Sequence, residues 1–204
     1  MRLIYACAFL AASSASIFAA APVARPASDV TVILDVKGTY SDLAFREMRR
    51  EATQIIQASG LRLDWRMRSD AQNATFSDLV VMTFRGACSF DAGSMPIYDE
   101  LGPLAITRTA NGEVQPFGEV NCDRVISTIR PAMFGDDYSK ADLLVGRALG
   151  RVVAHELVHM LTRSGQHARQ GVEKAALSGK QLIAASLPLS ALDIERLVLE
   201  RSSR

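Results

Sequence analysis

Several things are missing from this 204-residue sequence, and each absence closes off a class of protein. There is no excess of charge of one sign: 23 Lys and Arg stand against 22 Asp and Glu, a formal charge of +1. A nucleic-acid-binding chain normally shows a basic surplus, so nucleic acid is not an expected partner. The densest basic stretch, Arg62 to Arg68, alternates with apolar residues and reads as the wet face of a strand. No Cys-x-x-Cys pair occurs, which argues against a cysteine-based zinc module. Beyond the amino terminus no apolar run approaches the ~20 residues that a bilayer span requires. Neither internal repeats nor a second domain boundary is visible. Histidine is scarce and informative: there are three, and all fall between positions 155 and 167.

What is present begins with a leader. Arg2 precedes an apolar run from Leu3 to Leu10, followed by Ala/Ser-rich sequence ending in Ala19-Ala20-Ala21. A positive start, a short apolar core and small residues at the cut make a secretory signal peptide, with an uncleaved anchor as the alternative. The expected organisation is a signal over 1–21, a linker over 22–28 and a single domain over 29–204, secreted or periplasmic. Cys7 would leave with the signal. Cys88 and Cys122 then remain in an oxidising compartment, where a pair is expected to form a disulfide.

Val30, Val32, Leu34 and Val36 alternate with Thr31, Ile33, Asp35 and Lys37, the period of a strand. Ser41 can cap a helix with Ala44, Met48, Ala52, Ile55 and Ile56 on one stripe, stopped at Gly60. Its charges, among them Arg46, Glu47, Arg49, Arg50 and Glu51, read as a solvated face. A second strand alternates from Leu61 to Arg68. A third, Leu79 to Phe84, lacks alternation and suggests burial on both faces. Strand, helix, strand in this order implies a right-handed parallel crossover. Asn111-Gly112 between Leu104–Ala110 and Glu113–Val120 predicts a hairpin, with Pro116 on an edge. A long helix follows, with a capping box at Ser139 and Asp142 and a stop at Gly165. Two shorter helices, about 178–186 and 190–202, complete the chain, the second capped by Ser190 with Asp193.

The long helix carries His155-Glu156-Leu157-Val158-His159. Residues four apart project from one helical face, so two imidazoles can grip one ion. Zinc suits nitrogen donors, and a catalytic zinc takes three protein ligands plus water. Glu156 is placed to reach the water instead of the metal: the zinc acidifies it and polarises a carbonyl, and the glutamate removes the proton. His167, just past the predicted helix stop, is the expected third ligand. Glu173 is the competing donor, and Asp193 and Glu195 are more remote ones.

On these residues the chain resembles the zincin metallopeptidases. The run of strand, helix, two strands and hairpin before the helix is similar to the amino-terminal half of a metzincin domain, over roughly residues 30–167. The resemblance implies an α+β, zincin-like fold: a mixed twisted sheet with an edge hairpin, packed on a long active-site helix, with a helical C-terminal part. It further implies zinc ligation by His155 and His159, general-base action by Glu156, and a peptide or protein substrate laid along an edge strand. The departures are specific. Thr162 and Gly165 stand where metzincins place glycine and the third histidine, and no methionine follows Met160 to form the turn beneath the metal. Tyr138, Tyr98, Arg169 and Lys174 are the candidates to stabilise an oxyanion. An exported zinc peptidase is the leading expectation, favoured by Glu156. The alternative is a non-catalytic module of the same fold that binds zinc or a protein partner.

Overall fold

The computed structural model describes residues 30–202 apart from 73, 92 and 94–101. The leader, the linker, Cys7 and Tyr98 lie outside the described residues.

Strands β1 (Val30–Val36), β2 (Leu63–Met67), β3 (Leu79–Arg85), β4 (Ala105–Ala110) and β5 (Glu113–Asn121) form one sheet in the order β2-β1-β3-β5-β4. The first four in that order run parallel, and β4 lies antiparallel on the rim. Helix α1 (Asp42–Gln57) makes the parallel crossover from β1 to β2, capped by Ser41 as the sequence predicts. Its apolar stripe is buried from Ala44 to Ile56. Gly60, at φ 79°, turns the chain into β2.

The doubly buried strand is β1, which lies inside the sheet and hides Thr31, Ile33 and Asp35 as well as its apolar face. The unalternating run of β3 is a correction: Val80, Met82 and Phe84 are buried, while Val81 and Thr83 are only half covered. Asn111 (φ 54°) and Gly112 (φ 82°) form the hairpin turn, both in the left-handed region that a type I′ turn needs. Pro116 does not lie on the outer edge as expected. It sits on inner strand β5 at a register break opposite Arg108, before pairing with β3 begins at Phe117, so no ladder hydrogen bond is lost.

Helix α2 (Cys122–Ile129), capped by Asn121, has no counterpart in the sequence reading. It follows β5 directly and buries Val125, Ile126 and Ile129. Cys88, just past β3, and Cys122 form the expected disulfide, with 4.9 Å between their Cα atoms.

The long helix α3 (Ala141–Thr162) is buried along nearly its whole length. Gly146 and Gly150 let it lie directly against α1. A Cβ at Gly146 would come within 2.4 Å of the Ala44 carbonyl oxygen, and one at Gly150 within 2.7 Å of that of Met48. Both predicted ends need correction. Ser139 belongs to a preceding 3-10 turn and donates to the Asp136 carbonyl at 2.7 Å, while Asp142 accepts from Phe90 N–H at 2.8 Å, so they form no capping box. The helix stops two residues earlier than Gly165, at Arg163, which takes the left-handed conformation (φ 49°) and sends its N–H to the His159 carbonyl.

Glu47 and Glu51 are also not on a solvated face. Both are buried against α3, where Arg151, with no exposed surface, donates to Glu51 at 2.8 Å. Arg151 also reaches the carbonyls of Gln181 and Ala184 around the short helix α4 (Gly179–Ile183). Helix α5 (Ala191–Ser202) closes the chain with the predicted cap: Asp193 N–H donates to Ser190 Oγ, and Ser190 N–H to Asp193 Oδ2.

Candidate metal centre

The helical spacing sets His155 and His159 on one face of α3, and their Nε2 atoms meet at 3.0 Å. Each ring is held from behind. His155 Nδ1–H donates to the Val172 carbonyl at 3.0 Å, and His159 Nδ1–H to the Ser164 carbonyl at 2.7 Å. Because a carbonyl can only accept, Nδ1 carries the proton in both rings and Nε2 offers a lone pair. Burial holds both imidazoles neutral, lowering His155 to about 4 and His159 in the same direction. Two lone pairs aimed at each other across 3.0 Å repel unless a cation lies between them. Adjacent donors on a tetrahedral zinc with bonds of 2.0–2.1 Å stand roughly 3.3 Å apart, so the pair is close to that spacing without rearrangement.

His167 completes the group. Its ring centroid lies 5.2 Å from that of His155 and 4.8 Å from that of His159, and one ligand atom from each histidine fits within 4.8 Å of the others. Among the described residues this is the one cluster of three or more potential ligands that could hold a metal. The reversal that brings His167 back begins at Arg163. Ser164 N–H bonds to the His159 carbonyl at 3.1 Å, and the Ser164 carbonyl takes the His159 ring proton. A non-glycine residue in the left-handed region carries strain. Here that conformation lets one turn both end the helix and orient the His159 ring.

Glu173 does not sit with the three ligand atoms. The loop after His167 folds back on itself, with Ala168 N–H on the Glu173 carbonyl at 2.9 Å and Val172 N–H on the Pro188 carbonyl at 3.0 Å. Gly171 (φ 78°) is required where a Cβ would come within 2.6 Å of that same Pro188 oxygen. The loop places the Glu173 carboxylate 3.5 Å from His155 Nδ1 and 3.8 Å from His159 Nδ1, behind the rings and away from the converging Nε2 atoms. Burial pushes its carboxyl up to about 9, with Asp193 and Glu156 adding to the shift and Arg196 opposing it. Asp193 is buried at the cap of α5 and Glu195 is exposed on that helix, so neither joins the triad.

Glu156 is buried beside the histidines, and burial raises its carboxyl to about 7 against the opposing hydrogen bond from Thr107. Thr107, on rim strand β4, donates to Glu156 Oε2 at 2.6 Å. Glu156 and the three histidines line a cavity of about 620 Å³ between β4 and the segment 174–177. Leu104, Thr128, Val152 and Leu177 supply apolar wall, and Arg124 and Lys174 are its basic residues. Of the oxyanion candidates among the described residues, Lys174 lines this cavity. Tyr138 instead packs edge-on against Phe90, and Arg169 is exposed outside the lining. Thr107, Ser164 and Val172 were not foreseen. They act through backbone turns and a contact from the rim strand to the long helix, which leave no local pattern in the sequence.

A mixed sheet with an antiparallel rim strand, lying over a long helix whose two histidines are joined by a third from the following turn, is a metzincin-like fold. The chain matches the crystal structure of archaemetzincin from Methanopyrus kandleri with a TM-score of 0.52, over 88% of this chain and 99% of that one, at 10% sequence identity. At that identity the likeness is one of fold. No protein-family model matches the sequence, and no curated protein matches it.

Proposed function

We propose that this chain is an exported zinc-dependent peptidase, with His155, His159 and His167 as the metal ligands and Glu156 as the general base. The observation that carries the reading is the pair of Nε2 lone pairs aimed at one point while both Nδ1 protons are tied to carbonyls, with a buried carboxylate on the next residue. A zinc ion held there supplies Lewis acidity, polarising a peptide carbonyl and lowering the pKa of water. The chain's own groups do the rest. The Thr107 hydroxyl fixes Glu156 Oε2, leaving Oε1 to take a proton from the attacking water and pass it to the departing amine. A carboxyl near 7 is suited to both halves of that transfer at neutral pH.

Strand β4 offers its outer edge to an extended peptide, which would place a carbonyl over the histidines and an adjacent side chain in the apolar part of the cavity. Lys174 is the group proposed to stabilise the developing oxyanion. The Cys88–Cys122 disulfide supports an oxidising compartment, in keeping with the signal-like leader. Among the described residues, no helix is long and apolar enough to cross a membrane.

The test is the metal content of the purified mature chain, followed by cleavage of an unstructured protein with and without chelator. One zinc per chain and chelator-sensitive cleavage are expected. Full zinc with no cleavage of any peptide would move the chain to the non-catalytic binding module.

A further inference from the structure

We propose that Glu173 is a positioning and charge-balancing residue for the metal: it touches no ion, but from behind His155 and His159 it raises the affinity with which they hold one. The inference rests on the zinc reading above and deepens it.

Three imidazole donors bring no negative charge to a dication. In a half-buried site that leaves the ion's charge uncompensated, and the compensation must come from nearby groups. Glu173 is 1% exposed, and its Oε1 accepts no hydrogen bond. The groups facing it do not account for its burial. Asp193 and Glu156 are like charges, and Arg196 is the opposing cation. Asp193, itself 1% exposed, also has an oxygen, Oδ1, without a hydrogen-bond partner. Glu173 Oε1 and Asp193 Oδ1 are thus two buried carboxyl oxygens without a hydrogen-bond partner, an arrangement that is unfavourable in isolation. It becomes favourable when a cation sits on the other side of the imidazoles.

The local geometry transmits that charge. Val172 and Glu173 are consecutive: the first gives its carbonyl to His155 Nδ1–H, and the second sets its carboxylate within 3.5 and 3.8 Å of the two Nδ1 atoms. Negative charge on the Nδ1 side polarises the ring and strengthens Nε2 as a donor, and the carbonyls fix the ring planes. The 167–174 loop thus supplies a floor behind the histidines in a chain that has no methionine after Met160.

The experiment compares the mature wild type with Glu173→Gln and Glu173→Asp. Zinc affinity is read by competition with a chromophoric chelator, and the thermal midpoint is read on metal-free protein. Glu173→Gln keeps the shape and removes the charge. It should still bind one zinc, with affinity lowered about 10–100-fold, while the metal-free midpoint stays level because the shape is kept. Glu173→Asp keeps the charge and should recover most of the affinity.

Wild-type affinity in Glu173→Gln would overturn the proposal. So would a lowered midpoint or failure to fold in that variant, since either assigns Glu173 a structural role. Loss of stoichiometric zinc as deep as in His155→Ala would make Glu173 a direct ligand and overturn it as well. Equal weakening in the Asp and Gln variants would show that shape, not charge, is what matters. A wild type that binds no zinc sinks the metal reading itself, and that result is separate because it is seen before any variant is compared.

Discussion

The two sides of the proposed centre are built differently. His155 and His159 stand on α3, a 22-residue helix clamped against α1 through Gly146 and Gly150 and buried almost throughout. His167 stands on a stretch between α3 and α4 with no regular element, shaped by a left-handed arginine, one glycine turn and a few backbone bonds to residues 188 and 173. The helix side gets its precision from packing, because a shift of α3 would disturb the core. The loop side gets its precision from hydrogen bonds made by the ligands themselves. The rings of His155 and His159 bond to Val172 and Ser164, so the helix ligands hold the loop that presents the third. Replacing a helix ligand should therefore also loosen the loop.

The largest expected effect tests this comparison directly. His155→Ala and His167→Ala should both lose most bound zinc by elemental analysis, because three protein donors are needed at a catalytic site. The helix variant should in addition make the 165–174 amides exchange faster in hydrogen-exchange measurements, since it deletes the bond to Val172. Equal protection of the loop in both variants would break the dependence of one side on the other.

Next comes Glu156→Gln, which leaves both sides in place and removes only the proton acceptor. Zinc should be retained while kcat/KM falls by ~10²–10⁴. Loss of zinc in this variant would mean that Glu156 is part of the metal cage.

The same contrast explains what could be foreseen. The β1-α1-β2 crossover, the hairpin at Asn111-Gly112 and the caps of α1 and α5 rest on periodicity and turn chemistry, which are local properties. The His155–His159 pair is legible for the same reason: its spacing is a helical repeat. Where a tertiary partner decides, the local signal misleads. Asp142 looks like a capping-box residue but accepts from Phe90, 52 positions away. Glu51 looks like a wet helix residue but meets Arg151, 100 positions away. Helix α2 does carry a local signal, an Asn121 cap followed by Cys122, Val125, Ile126 and Ile129 at helical spacing, but it spans only eight residues and follows β5 without a loop. The proposed third ligand, His167, is reachable only by counting donors. Backbone bonds within the loop decide that Glu173 lies on the Nδ1 side of the rings, and such bonds leave no pattern in the sequence.

Stability gives the third way to separate the regions. Arg151→Ala strands Glu51 in the interface between α1 and α3 and frees the Gln181 and Ala184 carbonyls. Breaking a buried pair from one side typically costs ~3–5 kcal/mol, readable in denaturant unfolding. Zinc affinity of the remaining folded protein should barely move if α3 and the loop hold each other locally. A parallel fall in affinity would show that the helix packing, and not the loop, limits the site.

The smallest expected effect lies where the rim strand meets the helix. Thr107 reaches from β4 to Glu156 Oε2 at 2.6 Å, and a hydroxyl donating to a carboxylate both fixes its orientation and favours its ionised form. Thr107→Val has nearly the same volume and removes only the hydroxyl. Zinc content should be unchanged, because no ligand or ring bond is touched. The carboxylate is then free to rotate, and kcat should fall about tenfold, equivalent to ~1.4 kcal/mol. KM should stay close to wild type, since the backbone of β4 that would receive a peptide is unaltered. Losing a bond that favours the ionised form raises the Glu156 pKa further, so the acid limb of the kcat/KM profile should move to higher pH. Thr107→Ser, which keeps the hydroxyl, should restore both the rate and the profile. If the valine variant raises KM and leaves kcat and the acid limb alone, Thr107 shapes the substrate edge and does not orient the base.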